Sequence, residues 1–300
     1  MKTQTSLALP IDQRKLRLAL RPRARDAHKG DFGHALIVGG DKGMAGAALM
    51  AGEACARTGA GKVSIATRSE HIPAFIARTP ELMARSVESA DDLMPLLTMA
   101  TVVVIGPGLG QTDWSKAMLG AVLATDLPLV VDADALNLLA LMCYRDNNDT
   151  AQAAKEALAG DACVQLQRDN WILTPHPGEA SRLLNTSTRQ IAEDRLQHAQ
   201  DLQQRFQGVA VLKGKGSLIA TPEAIYQCRR GNAGMASGGM GDVLSGIIGG
   251  LLAQGFSVND AACFGVELHA HAADIAAKRD GERGLLATDL LSPLRTLLNP

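Results

Sequence analysis

The chain has 300 residues, of which 46% are hydrophobic, 20% charged and 3% aromatic, and its formal net charge is −1. This composition is typical of a globular protein, and a charge near zero excludes a general electrostatic attraction to nucleic acid or to membranes. The five cysteines are scattered without a Cys-x-x-Cys pair, which argues against structural zinc and against a disulfide framework. We therefore predict a cytoplasmic protein with neither nucleic-acid nor membrane partners.

Residues 1–28 are predicted to be a basic leader segment. Six cationic residues lie between positions 14 and 25, but Pro10, Pro22, Asp12 and Asp26 argue against a continuous amphipathic targeting helix. We expect this leader to pack against the body of the protein. No repeat or linker divides the remainder, so residues 29–300 are predicted to form a single domain.

Short apolar runs, mostly β-branched, alternate with alanine-rich and leucine-rich stretches. The runs cover residues 35–38, 62–67, 101–105, 128–132, 171–174 and 209–212. Helical spacing is found between them, at residues 46–58, 115–124 and 191–206. This alternation predicts a mainly parallel sheet with helices on both faces.

The later part of the chain has a different pattern. Residues 217–220 and 224–228 flank a Thr-Pro-Glu turn and predict a late hairpin, while residues 242–278 and 288–298 are predicted to be helical. The polar, irregular zone at residues 143–170 is interpreted as a surface insertion, with a lid as the alternative.

Each loop that carries chemically useful side chains follows a predicted strand. These loops cover residues 39–46, 106–110, 132–134, 174–179 and 213–217. Because parallel strands present their carboxyl ends at one edge of the sheet, we predict that the loops converge on a single ligand site.

The glycine-rich run at residues 232–246 is the most informative stretch. Gly238, Gly239 and Gly241 let the main chain approach a ligand closely, and free N–H groups at the start of the following helix would bind a phosphate. Asp242 stands at the same helix end. It is interpreted either as a helix cap or as a general base.

Other loop residues also allow two interpretations. Residues 213–217 suit a phosphate or a ribose, with a tight turn as the alternative. His176 is either a ligand contact or a structural residue, and Glu179 either reaches a metal-bound water or caps the next helix. Gly108 is predicted to allow a close backbone approach to a ligand. Hydrolase and metalloprotease motifs are missing from the sequence.

Six motifs in this order resemble the ADP/ATP-dependent NAD(P)H-hydrate dehydratases. They lie at residues 28–40, 105–110, 131–137, 173–179, 212–217 and 231–246, and the similarity extends roughly from Lys29 to the C-terminus. The resemblance implies a ribokinase-like α/β fold, a three-layer α/β/α sandwich with a mainly parallel central sheet. Many relatives carry a fused N-terminal epimerase domain, and here we expect the NAD(P)H-hydrate epimerase to be a separate chain.

The resemblance also implies an activity, the repair of hydrated NADH or NADPH. A phosphoryl group from ADP, or from ATP in eukaryotic members, would pass to the C6 hydroxyl of the S-epimer, and phosphate would then leave. The products would be NAD(P)H, phosphate and AMP or ADP. Mg²⁺ is the implied cofactor, although no dedicated ligand set is evident in the sequence. A homo-oligomer, such as a tetramer, is the implied assembly.

By motif match, Asp242 is the predicted catalytic base, and the N–H groups of Gly239, Met240 and Gly241 form the anion hole. The substrate would contact Ala47, Gly108, His176 and Asp242. The nucleotide would be held by Lys213, Gly214, Lys215, Gly216, Ser217 and Gly241. Two rival functions are a small-molecule alcohol kinase of the same fold and a non-catalytic nucleotide-binding regulator. The motif at residues 174–179 favours the dehydratase.

Overall fold

A ten-stranded sheet, in the order β1-β10-β9-β8-β7-β6-β5-β2-β3-β4, runs through the described part of the chain. The structure is a computed structural model that describes residues 8–20, 22–144 and 166–299. Most of the predicted surface insertion at residues 143–170 therefore lies outside the described residues, as do residues 1–7 of the predicted leader.

The strands are short and the helices are of ordinary length. The strands are β1 Leu9–Pro10, β2 His34–Val38, β3 Lys62–Thr67, β4 Met83–Ser86, β5 Val102–Ile105, β6 Leu129–Val131, β7 Trp171–Leu173, β8 Val209–Leu212, β9 Leu218–Ala220 and β10 Ile225–Gln227. The helices are α1 Gln13–Ala19, α2 Ala45–Thr58, α3 Ile72–Arg78, α4 Ala90–Met99, α5 Asp113–Leu123, α6 Ala133–Tyr144, α7 Pro177–Leu183, α8 Thr188–Glu193, α9 Arg195–Phe206, α10 Met240–Ala253, α11 Val258–Asp280 and α12 Leu291–Leu297.

The central strands β2 to β8 pair in parallel, and β9 pairs antiparallel with both β8 and β10. The mainly parallel sheet and the late hairpin predicted from the sequence are thus confirmed. The chain winds outward from β2 through β3 to β4 and then returns to place β5 on the other side of β2. This reversal opens a crevice at the carboxyl ends of β2 and β5, where ligands bind in such sheets.

Alternating side chains of the sheet build two apolar layers. In β2, Ala35 and Ile37 belong to the cluster that also contains residues of α2, α10 and α11. Leu36 and Val38 belong to the opposite cluster, with residues of α4, α5 and α6. Both sides of β2 are fully buried, which explains its continuous apolar sequence and produces three layers.

Helices α2 and α10 lie in very close contact because α10 presents glycines to its neighbour. A Cβ atom on Gly246 would stand 2.1 Å from the carbonyl oxygen of Ala51, and one on Gly250 would stand 2.8 Å from that of Cys55. Glycine is therefore the residue that lets the two backbones approach. This packing brings the first turn of α10 to the carboxyl edge of the sheet.

Two long helical stretches predicted from the sequence are interrupted in the structure. Residues 242–278 form two helices, because Gly255 adopts a left-handed conformation with φ +86° between α10 and α11. Residues 191–206 are interrupted at Asp194, whose side chain accepts a hydrogen bond from the main-chain N–H of Gln197 and begins α9. Strands β1 and β4 were not predicted, since neither has the apolar sequence of the central strands.

The described part of the predicted leader contacts the body of the protein. Leu9 and Pro10 pair in parallel with Tyr226 and Gln227 of β10, and Leu16 of α1 is buried. Lys15 Nζ lies 2.5 Å from the Asp260 carboxylate. None of the helices in residues 8–20, 22–144 and 166–299 has both the length and the apolar character needed to cross a membrane.

We expect Gly246→Ala to lower the free energy of unfolding by about 2–3 kcal/mol, because the added methyl group meets backbone that has no room to move. Gly46→Ala is the matched control, since a Cβ atom there meets nothing within 4 Å. That variant should be neutral or more stable by up to about 1 kcal/mol. Denaturant unfolding measures both values, and equal effects would contradict the packing argument.

Candidate active site

The first turn of α10 has free main-chain donors. Gly239 precedes the helix with φ +89°, and no side chain caps it. The N–H groups at the start of a helix lack intrahelical partners and favour an anion. Asp242 is the third residue of α10. From this position its carboxylate could accept a hydrogen bond from the main-chain N–H of the N-cap residue, Gly239. No such hydrogen bond is found among the described residues, so the capping interpretation of Asp242 is not supported.

Asp242 lies half-buried among other charged groups. Burial and the nearby Asp132 carboxylate together raise its pKa to about 7, while Lys213 acts in the opposite direction. A carboxyl group with a pKa near neutrality exchanges protons readily at physiological pH. The environment of Asp242 therefore suits a general base.

A buried ion pair lies beneath this helix end. Lys213 Nζ is 2.7 Å from Asp132 Oδ1, and the Asp132 side chain is 1% exposed. Burial alone would lower the pKa of Lys213, but the carboxylates of Asp132 and Glu179 outweigh that effect and raise it. Lys213 was predicted as a nucleotide contact. The structure shows that its ammonium group also has a partner within the protein.

Ser245 connects the ion pair to α10. Its hydroxyl lies 2.6 Å from Asp132 Oδ2 and 2.9 Å from the carbonyl oxygen of Gly241. A hydroxyl has one hydrogen, and the shorter contact to a charged acceptor identifies Asp132 as the group to which it donates. A Cβ atom on Gly241 would lie 3.2 Å from Lys213 Nζ, so glycine at this position leaves room for the ammonium group.

Glu179 and His176 continue the charged cluster. Glu179 Oε2 lies 3.9 Å from Lys213 Nζ and accepts a hydrogen bond of 2.7 Å from the main-chain N–H of His176. His176 Nδ1 accepts in turn from the N–H of Gly178 at 2.9 Å. These bonds form the cap of α7, as in the capping interpretation of Glu179. The His176 side chain is 51% exposed, so its ring can still contact a ligand.

The pKa of Glu179 is also shifted. Burial raises it to about 7, although Lys213 opposes the shift. For His176, burial and the nearby Lys213 lower the pKa, which favours the neutral ring whose Nδ1 accepts hydrogen bonds. The cluster therefore has groups that exchange protons near neutral pH around the Lys213 ammonium group.

A cavity of about 700 Å³ opens beside this cluster, and every residue predicted to bind the nucleotide lines it. Its lining includes Lys213, Gly214, Lys215, Gly216, Ser217 and Gly241, together with Met240. Leu244, Val266 and Ala270 form an apolar wall, which suits a flat base. His269 also lines the cavity, and its buried Nε2 has no hydrogen-bond partner among the described residues.

The turn at residues 213–217 is supported from below by Arg195 of α9. The guanidinium group donates to the carbonyl oxygens of Lys215 at 2.6 Å and Leu212 at 3.3 Å. Gly214 and Gly216 have φ values of +142° and +67°. The turn is therefore tight, and its free main-chain groups border the cavity.

Ala47 and Gly108 lie together at the crevice between β2 and β5. A Cβ atom on Gly108 would stand 2.6 Å from the Met44 carbonyl oxygen and 3.0 Å from the Ala47 Cβ. Packing between the two loops thus accounts for the glycine without a ligand. Asp134 accepts a hydrogen bond from the N–H of Gly110 at 2.8 Å and also raises the pKa of Asp242, which links this crevice to the cluster.

No individual role was predicted from the sequence for Asp132, Ser245 or Arg195, although residues 132–134 and 232–246 were among the stretches predicted to form the site. Asp132 follows a predicted strand, and that position was the available signal. Ser245 lies three residues after Asp242 in α10, so helical spacing could have placed it on the same side. Arg195 starts a helix remote in sequence, and no local signal identifies its contact with the turn.

We expect Lys213→Met to lower the free energy of unfolding by about 3 kcal/mol, because Asp132 is left buried without a cation. Adding Asp132→Asn should recover part of the loss. Lys215→Met is the matched control, since this lysine is exposed, and it should change stability by less than about 0.5 kcal/mol. Equal losses for the two lysine variants in denaturant unfolding would contradict the role of the ion pair.

Comparisons with known proteins place this site in a family. A model described as NAD(P)H-hydrate dehydratase, Carb_kinase, matches residues 35–295. The bifunctional NAD(P)H-hydrate repair enzyme Nnr of Coxiella burnetii is 57% identical over 282 residues, which cover 94% of this chain and 53% of that relative. The chain spans about half the length of several such bifunctional relatives.

Two further proteins are similar along nearly their whole length. The ADP-dependent (S)-NAD(P)H-hydrate dehydratase of Neisseria meningitidis serogroup B is 40% identical over 301 residues, covering 99% of this chain and 93% of that relative. The ADP/ATP-dependent NAD(P)H-hydrate dehydratase of Bacillus subtilis, co-crystallised with ATP/Mg²⁺, has a TM-score of 0.79 and 28% identity, covering 97% and 98% of the two chains. The chain belongs to the NAD(P)H-hydrate dehydratase family and has its ribokinase-like fold.

Proposed function

We propose that this chain dehydrates the S-epimer of hydrated NADH or NADPH, using ADP as the phosphoryl donor. One observation carries the proposal: the Asp242 carboxylate, with no hydrogen bond among the described residues, lies beside the uncapped N-terminus of α10 next to a cavity of nucleotide size. The ADP-dependent relative from Neisseria meningitidis, covered over 93% of its length, supports ADP as the donor.

Hydroxide is a poor leaving group, so the reaction first converts the ring hydroxyl into a phosphate ester. Asp242 takes the proton from the C6 hydroxyl group while the hydroxyl oxygen attacks the terminal phosphorus of ADP. The bond from that phosphorus to the bridging oxygen breaks, and AMP leaves. The N–H groups of Gly239, Met240 and Gly241 stabilise the charge on the transferring oxygens.

The second step restores the nicotinamide ring. The lone pair of the ring nitrogen expels phosphate from C6, and the neighbouring carbon loses a proton as the double bond forms. The products are NAD(P)H, phosphate and AMP. Ala47, Gly108 and His176 are proposed to contact the hydrated ring and its nucleotide, while the turn at residues 213–217 and Gly241 hold ADP.

The ion pair of Lys213 with Asp132 is proposed to fix a cation next to the transferring phosphoryl group. Because Asp132 holds Lys213 before any ligand binds, and Ser245 in turn donates to Asp132, the ammonium group does not need to reorganise during the reaction. This arrangement is consistent with a nucleotide contact at Lys213.

Magnesium is proposed to accompany the phosphates of ADP. Within the described ranges, no group of three or more His, Cys, Asp or Glu side chains is arranged to hold a metal ion. That finding fits Mg²⁺, which commonly uses one or two carboxylates together with substrate phosphates and water. The Asp132 oxygens are engaged by Lys213 and Ser245, so Glu179 is the carboxylate that would reach the ion or its water. When bound, Mg²⁺ would neutralise phosphate charge.

A cytoplasmic location, a homo-oligomeric assembly and a functional link to an NAD(P)H-hydrate epimerase are also part of the proposal, and the bifunctional relatives support that link. The epimerase would supply the S-epimer that this site consumes.

The decisive experiment incubates the protein with ADP and hydrated NADH and follows the absorbance of the reduced nicotinamide. We expect the absorbance to recover with ADP, with ATP tested in parallel, and AMP and phosphate to form in equal amounts. No recovery with either nucleotide, together with phosphorylation of a small alcohol, would favour the kinase alternative.

Asp242→Asn is the matched variant for this assay. Removal of the base should lower kcat about 10²–10⁴-fold while ADP still binds. A non-catalytic regulator would instead show a change in nucleotide affinity and no turnover in either protein.

The pH dependence of turnover is a separate prediction. Because Asp242 has a pKa raised to about 7 and acts as a base only when deprotonated, kcat/KM should fall about tenfold per pH unit below 7 and level off above it. Asp132→Asn removes a carboxylate that raises this pKa, so the profile should move to lower pH. The profile should be measured over about pH 5 to 8. A flat profile over this range would contradict Asp242 as the base.

A further inference from the structure

A buried carboxylate on α11 holds an arginine at the wall of the nucleotide cavity. Glu267 Oε1 accepts hydrogen bonds from Arg230 Nε at 2.6 Å and from Gln13 Nε2 at 2.9 Å. The Glu267 side chain is 6% exposed and the Arg230 side chain is 31% exposed. The guanidinium group is therefore anchored on its inner side.

The main chain places Arg230 beside the turn at residues 213–217. The N–H of Cys228 donates to the carbonyl oxygen of Ser217 at 3.0 Å, which extends the pairing of β9 and β10. The residues that follow Cys228 then run next to residues 213–217. Arg230 lines the same cavity as Lys215 and Gly216.

The segment that carries Arg230 is held in place from the same helix. Asp274 of α11 accepts hydrogen bonds from the N–H of Gly231 at 3.1 Å and from Asn232 Nδ2 at 3.0 Å. With Glu267, this gives three contacts that fix the segment before a ligand arrives. Preorganised donors lose less conformational entropy on binding.

The outer side of the guanidinium group remains available. Nε is engaged by Glu267, and in the described part of the chain neither NH2 group of Arg230 takes part in a hydrogen bond. A planar guanidinium presents paired donors that match phosphate or ribose oxygens. The nearby Glu267 neutralises the charge, so the contribution of Arg230 is directional hydrogen bonding.

We propose that Arg230 binds the part of the nucleoside diphosphate that does not react, through the oxygens of its inner phosphate or ribose, and that Glu267 positions it. This inference rests on the proposed function, which brings the nucleotide to this cavity. The reacting end lies with Asp242, where the nearby charges are Asp132, Lys213, Asp134 and Glu179. Arg230 instead pairs with a carboxylate on α11.

The same carboxylate connects the nucleotide cavity to the leader. Gln13 precedes residues 35–295, which the family model matches, yet it shares Glu267 Oε1 with Arg230. Gln13 is therefore inferred to be a secondary positioning residue for Arg230.

The test measures ADP and AMP binding to the full chain by calorimetry. AMP retains the inner phosphate and the ribose, so Arg230→Met should weaken both ligands by a similar factor, about 10- to 100-fold. Glu267→Gln should have a smaller effect in the same direction, and Gln13→Ala a smaller one still. Arg229→Met is the matched control, because this neighbouring arginine is exposed and lies outside the cavity lining, and it should bind like the wild type.

In turnover assays, Arg230→Met should raise KM for ADP and leave kcat unchanged, which a folding defect would not produce. Unchanged binding of both nucleotides by Arg230→Met would overturn the inference, and so would weakened ADP binding with normal AMP binding. A wild-type chain that binds ADP but does not restore hydrated NADH would contradict the proposed function and leave this inference supported by the binding data. A wild-type chain that binds neither nucleotide would overturn both.

Discussion

The buried Asp132 carboxylate is the contact on which the geometry of the site depends. It stands at the end of β6, pairs with Lys213 at the end of β8, and accepts a hydrogen bond from Ser245 in α10. Two strands and the helix that carries Asp242 are thus joined through one side chain. A buried ion pair of this kind is weak evidence for stability, because desolvation offsets much of the attraction. Its better explanation is positional, since it sets the distance between the cation and the first turn of α10.

The balance of charge around Lys213 follows from that contact. Lys213 interacts with the carboxylates of Asp132, Glu179 and Asp242, and burial raises the pKa values of both Asp242 and Glu179 to about 7. Asp132 has Lys213 as its partner and Glu179 bonds to the N-terminus of α7, whereas Asp242 has no hydrogen bond among the described residues. A second cation at this point would lower the pKa of Asp242 and weaken it as a base. In the proposed mechanism, this leaves the Asp242 carboxylate available as the proton acceptor.

Local sequence was sufficient for the parts of this structure that depend on local patterns. The central strands are continuous apolar runs because both of their faces are buried. The loop before α10 is rich in glycine, a composition that few other structures require. The contacts of Asp132 with Ser245 and of Glu267 with Gln13 join residues 113 and 254 positions apart, so no local pattern contains them. Gly108 shows the opposite case. The sequence predicts the close approach of a ligand at this glycine, whereas packing against Met44 already requires a glycine there.

The two ends of the cavity differ in how their charges are held. At the reacting end, Lys213 lies among carboxylates, and burial raises the pKa values of two of them, Asp242 and Glu179, to about 7. At the other end, Arg230 donates a hydrogen bond to Glu267, and its guanidinium group offers planar, directional donors. The proposed reaction releases AMP after each turnover and would benefit from this separation, because affinity can reside in groups that the chemical step does not alter. In that proposal, uniform binding of ADP and AMP at the Arg230 end lowers KM without slowing the reaction, and differential binding of the transition state is left to Asp242 and the first turn of α10.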